Sequence, residues 1–190
     1  MKALLQSVSR CEICKPHLSH GIRPVVQASQ SSRIVIIGQA PGLKVHQSGI
    51  PWDDASGDLL RQWLHVNKTQ FYDPEYFALM PMAFCYPGKG SNGDLPPRKE
   101  CAPQWHDVLL QQMPNVALTL LVGQYAQQHY LKGDKGNLTC RVNHFKNYLP
   151  DYFPLPHPSP RNRFWFSKNP WFQQSVLPAL TTRIDSILNA

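Results

Sequence analysis

The stretch from Arg33 to Gly57, R-I-V-I-I-G-Q-A-P-G-L-K-V-H-Q-S-G-I-P-W-D-D-A-S-G, decides how the rest of the chain is read. Arg33 to Ile37 is a short β-branched apolar run that stops at Gly38, the pattern of a buried parallel strand feeding a tight loop. Gly38-Gln39-Ala40-Pro41-Gly42 combines two glycines, free to take unusual backbone angles, with a proline that stiffens the turn and removes one donor. A loop at a strand's carboxyl end lies where open α/β sheets bind ligands. Trp52 adds a flat aromatic face, and Asp53 and Asp54 add carboxylates before a helix for which Ser56 is the expected N-cap. The reading is a small backbone-lined pocket with a stacking ring and an acid.

Working outward, Tyr76–Met82, Val116–Val122 and Tyr152–Leu155 read as three further strands. Between them fall helical patterns: residues 3–10, the run after Ser56 with Leu59, Leu60, Trp63 and Leu64 on one face, a helix from Pro103 to about Gln112, and another over 124–131. A weaker helix follows Thr139, and a C-terminal helix from Asn169-Pro170 is expected to bend at Pro178. Alternating strands and helices predict an α/β protein, a three-layer α/β/α sandwich with a central, mainly parallel four-stranded sheet. At 190 residues the chain fits a single domain over 1–190.

Nineteen basic against twelve acidic residues give a formal charge of +7, which suits polyanions and says nothing of fold. No signal-peptide pattern opens the chain and no apolar run is long enough to cross a bilayer, so a cytoplasmic protein with no membrane partner is expected, as a monomer. Cys11 and Cys14 form C-x-x-C, and Cys85 and Cys101 follow with fifteen residues between them. Thiols at this spacing in a reducing compartment point to a metal or redox site, and four thiolates suit zinc or an iron–sulfur cluster; free, half-buried cysteines are the alternative. Cys140 is assigned to the core. The segment between Cys85 and Cys101 is rich in Gly, Pro and Lys and reads as a long loop, tied down if the cysteines share a site; its Lys89–Lys99 region reads as solvated, with a stretch that trails along DNA as the alternative.

The last strand leads straight into His157-Pro158-Ser159-Pro160-Arg161-Asn162, so two motif loops, G-Q-A-P-G and H-P-S-P-R-N, end up over one sheet edge. With the four cysteines, this pattern resembles the uracil-DNA glycosylase superfamily, and most closely its iron–sulfur class, with a first motif G-E-A-P-G and a last H-P-S loop. The resemblance covers nearly the whole chain. It implies an enzyme that flips a damaged nucleotide out of DNA and hydrolyses the bond between base and sugar. It implies a structural 4Fe-4S cluster on Cys11, Cys14, Cys85 and Cys101, with zinc the other occupant. Trp52 takes the stacking role, and Gly38, Gln39 and Ala40 contact the base through the backbone. Asp54 directs the attacking water, and His157 hydrogen-bonds a carbonyl of the departing base. Asn162 falls on the substrate side, where with Arg161 it stands at the position of the residue that other members push into the vacated stack. Ser159, Arg161 and Arg163 meet DNA.

Three departures qualify the resemblance. Gln39 replaces the motif's Glu, so no carboxylate is available there. Pro81 stands where uracil-reading members carry an Asn, which leaves the base preference open. Arg161 makes the plug cationic. The alternatives are a catalytically weak or inactive nucleic-acid-binding member of the same superfamily, and a zinc-stabilised α/β domain unrelated to nucleic acid.

Overall fold

The computed structural model describes residues 1–190. Strand β1 (Ile34–Ile37) lies between β2 (Phe77–Leu79) and β5 (Leu118–Val122), and β6 (Tyr152–Leu155) pairs with β5. All three pairings are parallel, giving the order β2-β1-β5-β6. The chain leaves β1 to one side and returns to the other, so a crevice opens where the strand order reverses. A second, two-stranded antiparallel hairpin joins β3 (Lys89–Gly90) and β4 (Gly93–Asp94).

The expected three layers follow from the pleat. Ile34, Ile36, Leu118, Leu120, Val122, Phe153 and Leu155 face one core with helices α3 (Ala55–Leu64), α7 (Leu138–Asn143) and α9 (Leu177–Leu188). Val35, Ile37, Ala78, Met80 and Leu121 face the other, with α1 (Lys2–Ser9), α5 (Cys101–Leu110) and α6 (Gln124–Tyr130). β1 and β5 are buried throughout, which is why their sequences read as continuous apolar runs. No helix is long and apolar enough to cross a membrane.

Several expectations are corrected by the structure. Asp54, not Ser56, caps α3: its Oδ1 accepts from the Gly57 N–H at 2.9 Å, and Ser56 is the second helical residue. Two short helices, α2 (Leu43–Ser48) and α4 (Lys68–Phe71), were not foreseen; Gly49 ends α2 in the left-handed region, and a capping box on Asn67 and Gln70 starts α4. α8 (Arg163–Lys168) is a further short helix. The C-terminal helix is irregular before Pro178 and not at it. A π turn over Phe172–Val176 precedes α9, and Pro178 sits in the first turn of α9, where its missing N–H costs nothing. Cys140 is exposed, because α7 turns Arg141 and Val142 inward instead. The Lys89–Lys99 region is not simply a solvated loop, since β3 and β4 fold part of it into the hairpin.

Candidate active site

The loop after β1 is held by its neighbour strand. Met80, Met82 and Ala83 donate in turn to the carbonyls of Ile36 (2.9 Å), Gly38 (2.8 Å) and Gln39 (3.1 Å), so the ladder runs on past the end of β2 and fixes the G-Q backbone. Gly38 must lack a side chain, because a Cβ there would stand 2.7 Å from Cζ2 of Trp52. Trp52 itself has φ of 58°, a left-handed conformation that costs a non-glycine residue roughly 1–3 kcal/mol. Its carbonyl folds back over Gly57, where a Cβ would come within 1.8 Å of it, and accepts from Nη1 of Arg61 at 3.4 Å. Arg61 is buried, paired with Asp58 at 2.6 Å and stacked over Phe71 and Tyr72. The D-A-S-G turn therefore serves to hold the indole flat against the loop.

His157 arrives from the end of β6 beside Gly123, whose φ of +88° favours glycine and where a Cβ would make ordinary contact with the His157 Cβ at 3.7 Å. The rings of Trp52 and His157 lie 5.9 Å apart with 33° between their planes. One cavity is lined by Gly38, Gln39, Ala40, Trp52, Asp54 and His157 together, which joins most of the residues singled out from the sequence. Burial holds the His157 imidazole below its usual pKa, partly offset by the Asp54 carboxylate, so the ring is neutral near pH 7. Asp54 spends Oδ1 on the helix cap; Oδ2 is turned toward Gly42, 4.0 Å from where a Cβ would stand. Capping and presenting an oxygen to the pocket are thus compatible roles of one side chain.

The remaining residues sort themselves around this pocket. Ser159 and Arg161 line its outer cleft. Asn162 is turned inward, donating from Nδ2 to the His157 carbonyl at 2.8 Å, which pins the H-P-S turn. Arg163 is exposed and lines neither cavity. The structure also brings in residues that sequence reasoning missed. Val25, Val45, Pro51, Ser56 and Pro81 line the inner pocket, and Asn92, Gly93 and Asp94 form a wall of the outer cleft. Asp94 accepts from the Tyr86 hydroxyl at 3.3 Å, and Nη1 of Arg161 reaches to 3.5 Å from where a Gly93 Cβ would stand. Asn92-Gly93 is a hairpin signal that marks this wall in retrospect. Pro81 presents no amide, and its carbonyl is taken by Nε2 of the buried His106 at 3.1 Å; His106 Nδ1 meets the Tyr130 hydroxyl at 2.6 Å.

Cys11, Cys14, Cys85 and Cys101 line a second, mainly apolar cavity with Val8, Phe84 and Trp105. All four thiols are free, and no group of three ligating side chains is drawn close enough to hold a single ion. Burial pushes the Cys85 thiol up to about 11 and that of Cys101 to about 12, and neighbouring cysteines add to the rise. The Phe84 N–H donates to Sγ of Cys101 at 3.3 Å.

Fold and site together define an α/β domain whose strand-end loops close a polar pocket under an aromatic ring. A model of the uracil DNA glycosylase superfamily matches residues 25–181, most of the chain. The protein belongs to that superfamily.

Proposed function

We propose that the protein is a DNA glycosylase that hydrolyses the N-glycosidic bond of uracil or a related deaminated base flipped out of DNA. The observation that carries this reading is the single pocket in which Trp52, Asp54 and His157 converge on the G-Q-A-P-G loop. The base stacks on Trp52, whose backbone is clamped by Arg61 so that the ring is positioned before substrate arrives. As the glycosidic bond lengthens, negative charge gathers on the base and positive charge on the sugar. The neutral His157 ring offers an N–H donor to the base, and Asn162 steadies the turn that carries it. Asp54, rigid through its cap, uses Oδ2 to orient water and to face the sugar cation. The positive surface adds phosphate contacts that make binding fall with salt.

Gln39 carries the only side-chain amide among the residues lining the inner pocket, and only its backbone carbonyl, not that amide, is hydrogen-bonded within the chain. With Pro81 unable to read a base edge, Gln39 takes that part. An amide offers one donor and one acceptor, which matches bases that present a carbonyl beside an N–H. Pro81 also favours a second reading, a weak or inactive nucleic-acid-binding member.

The four cysteines fit a 4Fe-4S cluster better than zinc. Tetrahedral zinc needs every sulfur at about 2.3 Å from one point, whereas a cluster holds its thiolates further apart across an apolar cavity of this kind. Cys11 and Cys14 after α1, Cys85 after β2 and Cys101 at the start of α5 would hold such a cluster, and its part would be structural.

A panel of oligonucleotides bearing different deaminated bases, treated with the protein and then with alkali, tests all of this. The wild type leaves abasic sites at uracil or a close relative, and Asp54→Asn and His157→Ala each lower the rate ~100–1000-fold. Gln39→Ala changes the ranking among bases. Cleavage unaffected by either of the first two substitutions removes the site assignment, and no cleavage of any base leaves the second reading.

A further inference from the structure

His106, on α5, is fully buried, yet both of its ring nitrogens are engaged. Nε2 lies 3.1 Å from the Pro81 carbonyl, and Nδ1 lies 2.6 Å from the hydroxyl of Tyr130 on α6. A carbonyl can only accept, so Nε2 carries the proton. Burial keeps the ring neutral near pH 7, so Nδ1 is bare and accepts from Tyr130. Phe84 stacks on the imidazole at 5.7 Å with 15° between the planes, and the Tyr130 ring lies at 6.0 Å with 29°. The tautomer and the orientation of His106 are both set by the fold.

His106 lines neither cavity, but what it holds belongs to the inner pocket. Pro81 is part of that pocket's wall, between Met80 and Met82, whose N–H groups go to the Ile36 and Gly38 carbonyls. The Pro81 carbonyl itself accepts no backbone N–H. Its partner is the imidazole, which draws the oxygen into the core. A backbone acceptor left unpaired in the interior is costly. Without His106, the outlet for this oxygen is the pocket, where water or a bound base can donate to it.

We propose that His106 is a positioning residue for base choice: by holding the Pro81 carbonyl in the core it keeps an acceptor out of the pocket, and so helps to reject undamaged bases. The proposal rests on the base-excision reading above and deepens it. Deamination exchanges an exocyclic amine, which donates, for a carbonyl, which accepts. A bare carbonyl in the wall would therefore attract the amine of cytosine or adenine and repel the oxygen of uracil or hypoxanthine. With that oxygen withdrawn, Pro81 presents its apolar ring, and the Gln39 amide is left to read the base edge. Selectivity then depends in part on a group the pocket is prevented from showing.

The test compares wild type, His106→Phe, His106→Gln and Tyr130→Phe on duplexes carrying uracil, cytosine, hypoxanthine or adenine at one position, under single-turnover conditions. His106→Phe keeps a stacked ring and loses the donor. The ratio of the rate on the preferred deaminated base to that on its amine parent is expected to fall at least about tenfold. His106→Gln, which keeps a donor, restores the ratio, and Tyr130→Phe, which removes the group that fixes the tautomer, lowers it in the same direction. A merely structural role slows both bases alike, so an unchanged ratio in His106→Phe, or one that His106→Gln fails to restore, overturns the proposal. Should His106→Phe fail to fold, an unchanged ratio in Tyr130→Phe overturns it. A second measurement does not depend on excision: affinity for duplexes whose 2′-fluorinated nucleotides resist hydrolysis, uracil against cytosine and hypoxanthine against adenine. The wild type prefers a deaminated base and His106→Phe loses at least about tenfold of that preference; no preference in the wild type, or one kept by the variant, overturns the proposal. If the wild type cleaves none of the four duplexes, the base-excision reading falls and this second measurement still decides the role of His106.

Discussion

The strand-end pocket and the cysteine cavity meet along residues 81–85, with Pro81 in the wall of the first and Ala83, Phe84 and Cys85 in the wall of the second. The first is finished by the polypeptide alone. Glycines at 38 and 57, a left-handed Trp52 and a buried arginine hold its ring in place, and its acid is locked by a helix cap. The second is of another kind. It gathers four free thiols, two of them pushed far toward the protonated form by burial, in an apolar hollow. With the cluster proposed above completing the second, the two sites are expected to fail differently when disturbed.

The sharpest way to break the contrast is Gly57→Ala. The new methyl would stand 1.8 Å from the Trp52 carbonyl, so the turn has to open and the indole to move. We expect a loss of about 100-fold in excision of the preferred base, measured in the alkali assay, for a displacement on the order of 1 Å. Near-normal activity would mean that the ring's position is not set by this turn.

Next in size is an acid effect away from both sites. Burial lowers the His106 imidazole from 6.5 to about 4, so between those pH values the unfolded chain takes up a proton that the folded one refuses. Stability is therefore retained above pH 6.5 and falls as the pH drops toward 4, by about 3 kcal/mol in all. Thermal unfolding across that range should show the slope in wild type, and His106→Gln, which keeps a donor for the Pro81 carbonyl, should flatten it.

A smaller effect tests the thiol cavity. Removing the proposed cluster by chelation, or one of its proposed ligands by Cys14→Ala, should lower Tm by about 5 °C while the single-turnover rate of the folded fraction stays within about threefold. A rate that collapses with an unchanged Tm would reverse the division of labour between the two cavities. Smallest is Cys140→Ala. The thiol is exposed and outside both cavities, so the change in stability should remain within about 0.5 kcal/mol by denaturant unfolding.

The four sheet strands were legible because each is a short apolar run bounded by Gly or Pro, as Ile34–Ile37 is by Gly38. The pocket was legible for a similar reason, since G-Q-A-P-G and H-P-S-P sit at strand ends and their relative position follows from the sheet. What escaped was tertiary. Nothing local distinguishes Asp54 from Ser56 as a cap, because both are good acceptors and only the fold of Trp52 over Gly57 decides between them. Cys140 has the composition of a core residue, yet the face that α7 buries is chosen by Arg141 and Val142. The hairpin over the cleft is two residues per strand, too short for any periodicity to announce it.

One backbone ladder carries a consequence for how such a protein can change. Met82 and Ala83 gauge the G-Q loop through its carbonyls, and two residues later the same segment offers Cys85 to the thiol cavity. Inserting or deleting a residue between Pro81 and Cys85 would shift both registers at once, disturbing the backbone that holds the strand-end pocket and misplacing a sulfur in the same stroke. Side chains along this segment can be exchanged one at a time, but its length is common to two sites and free to neither.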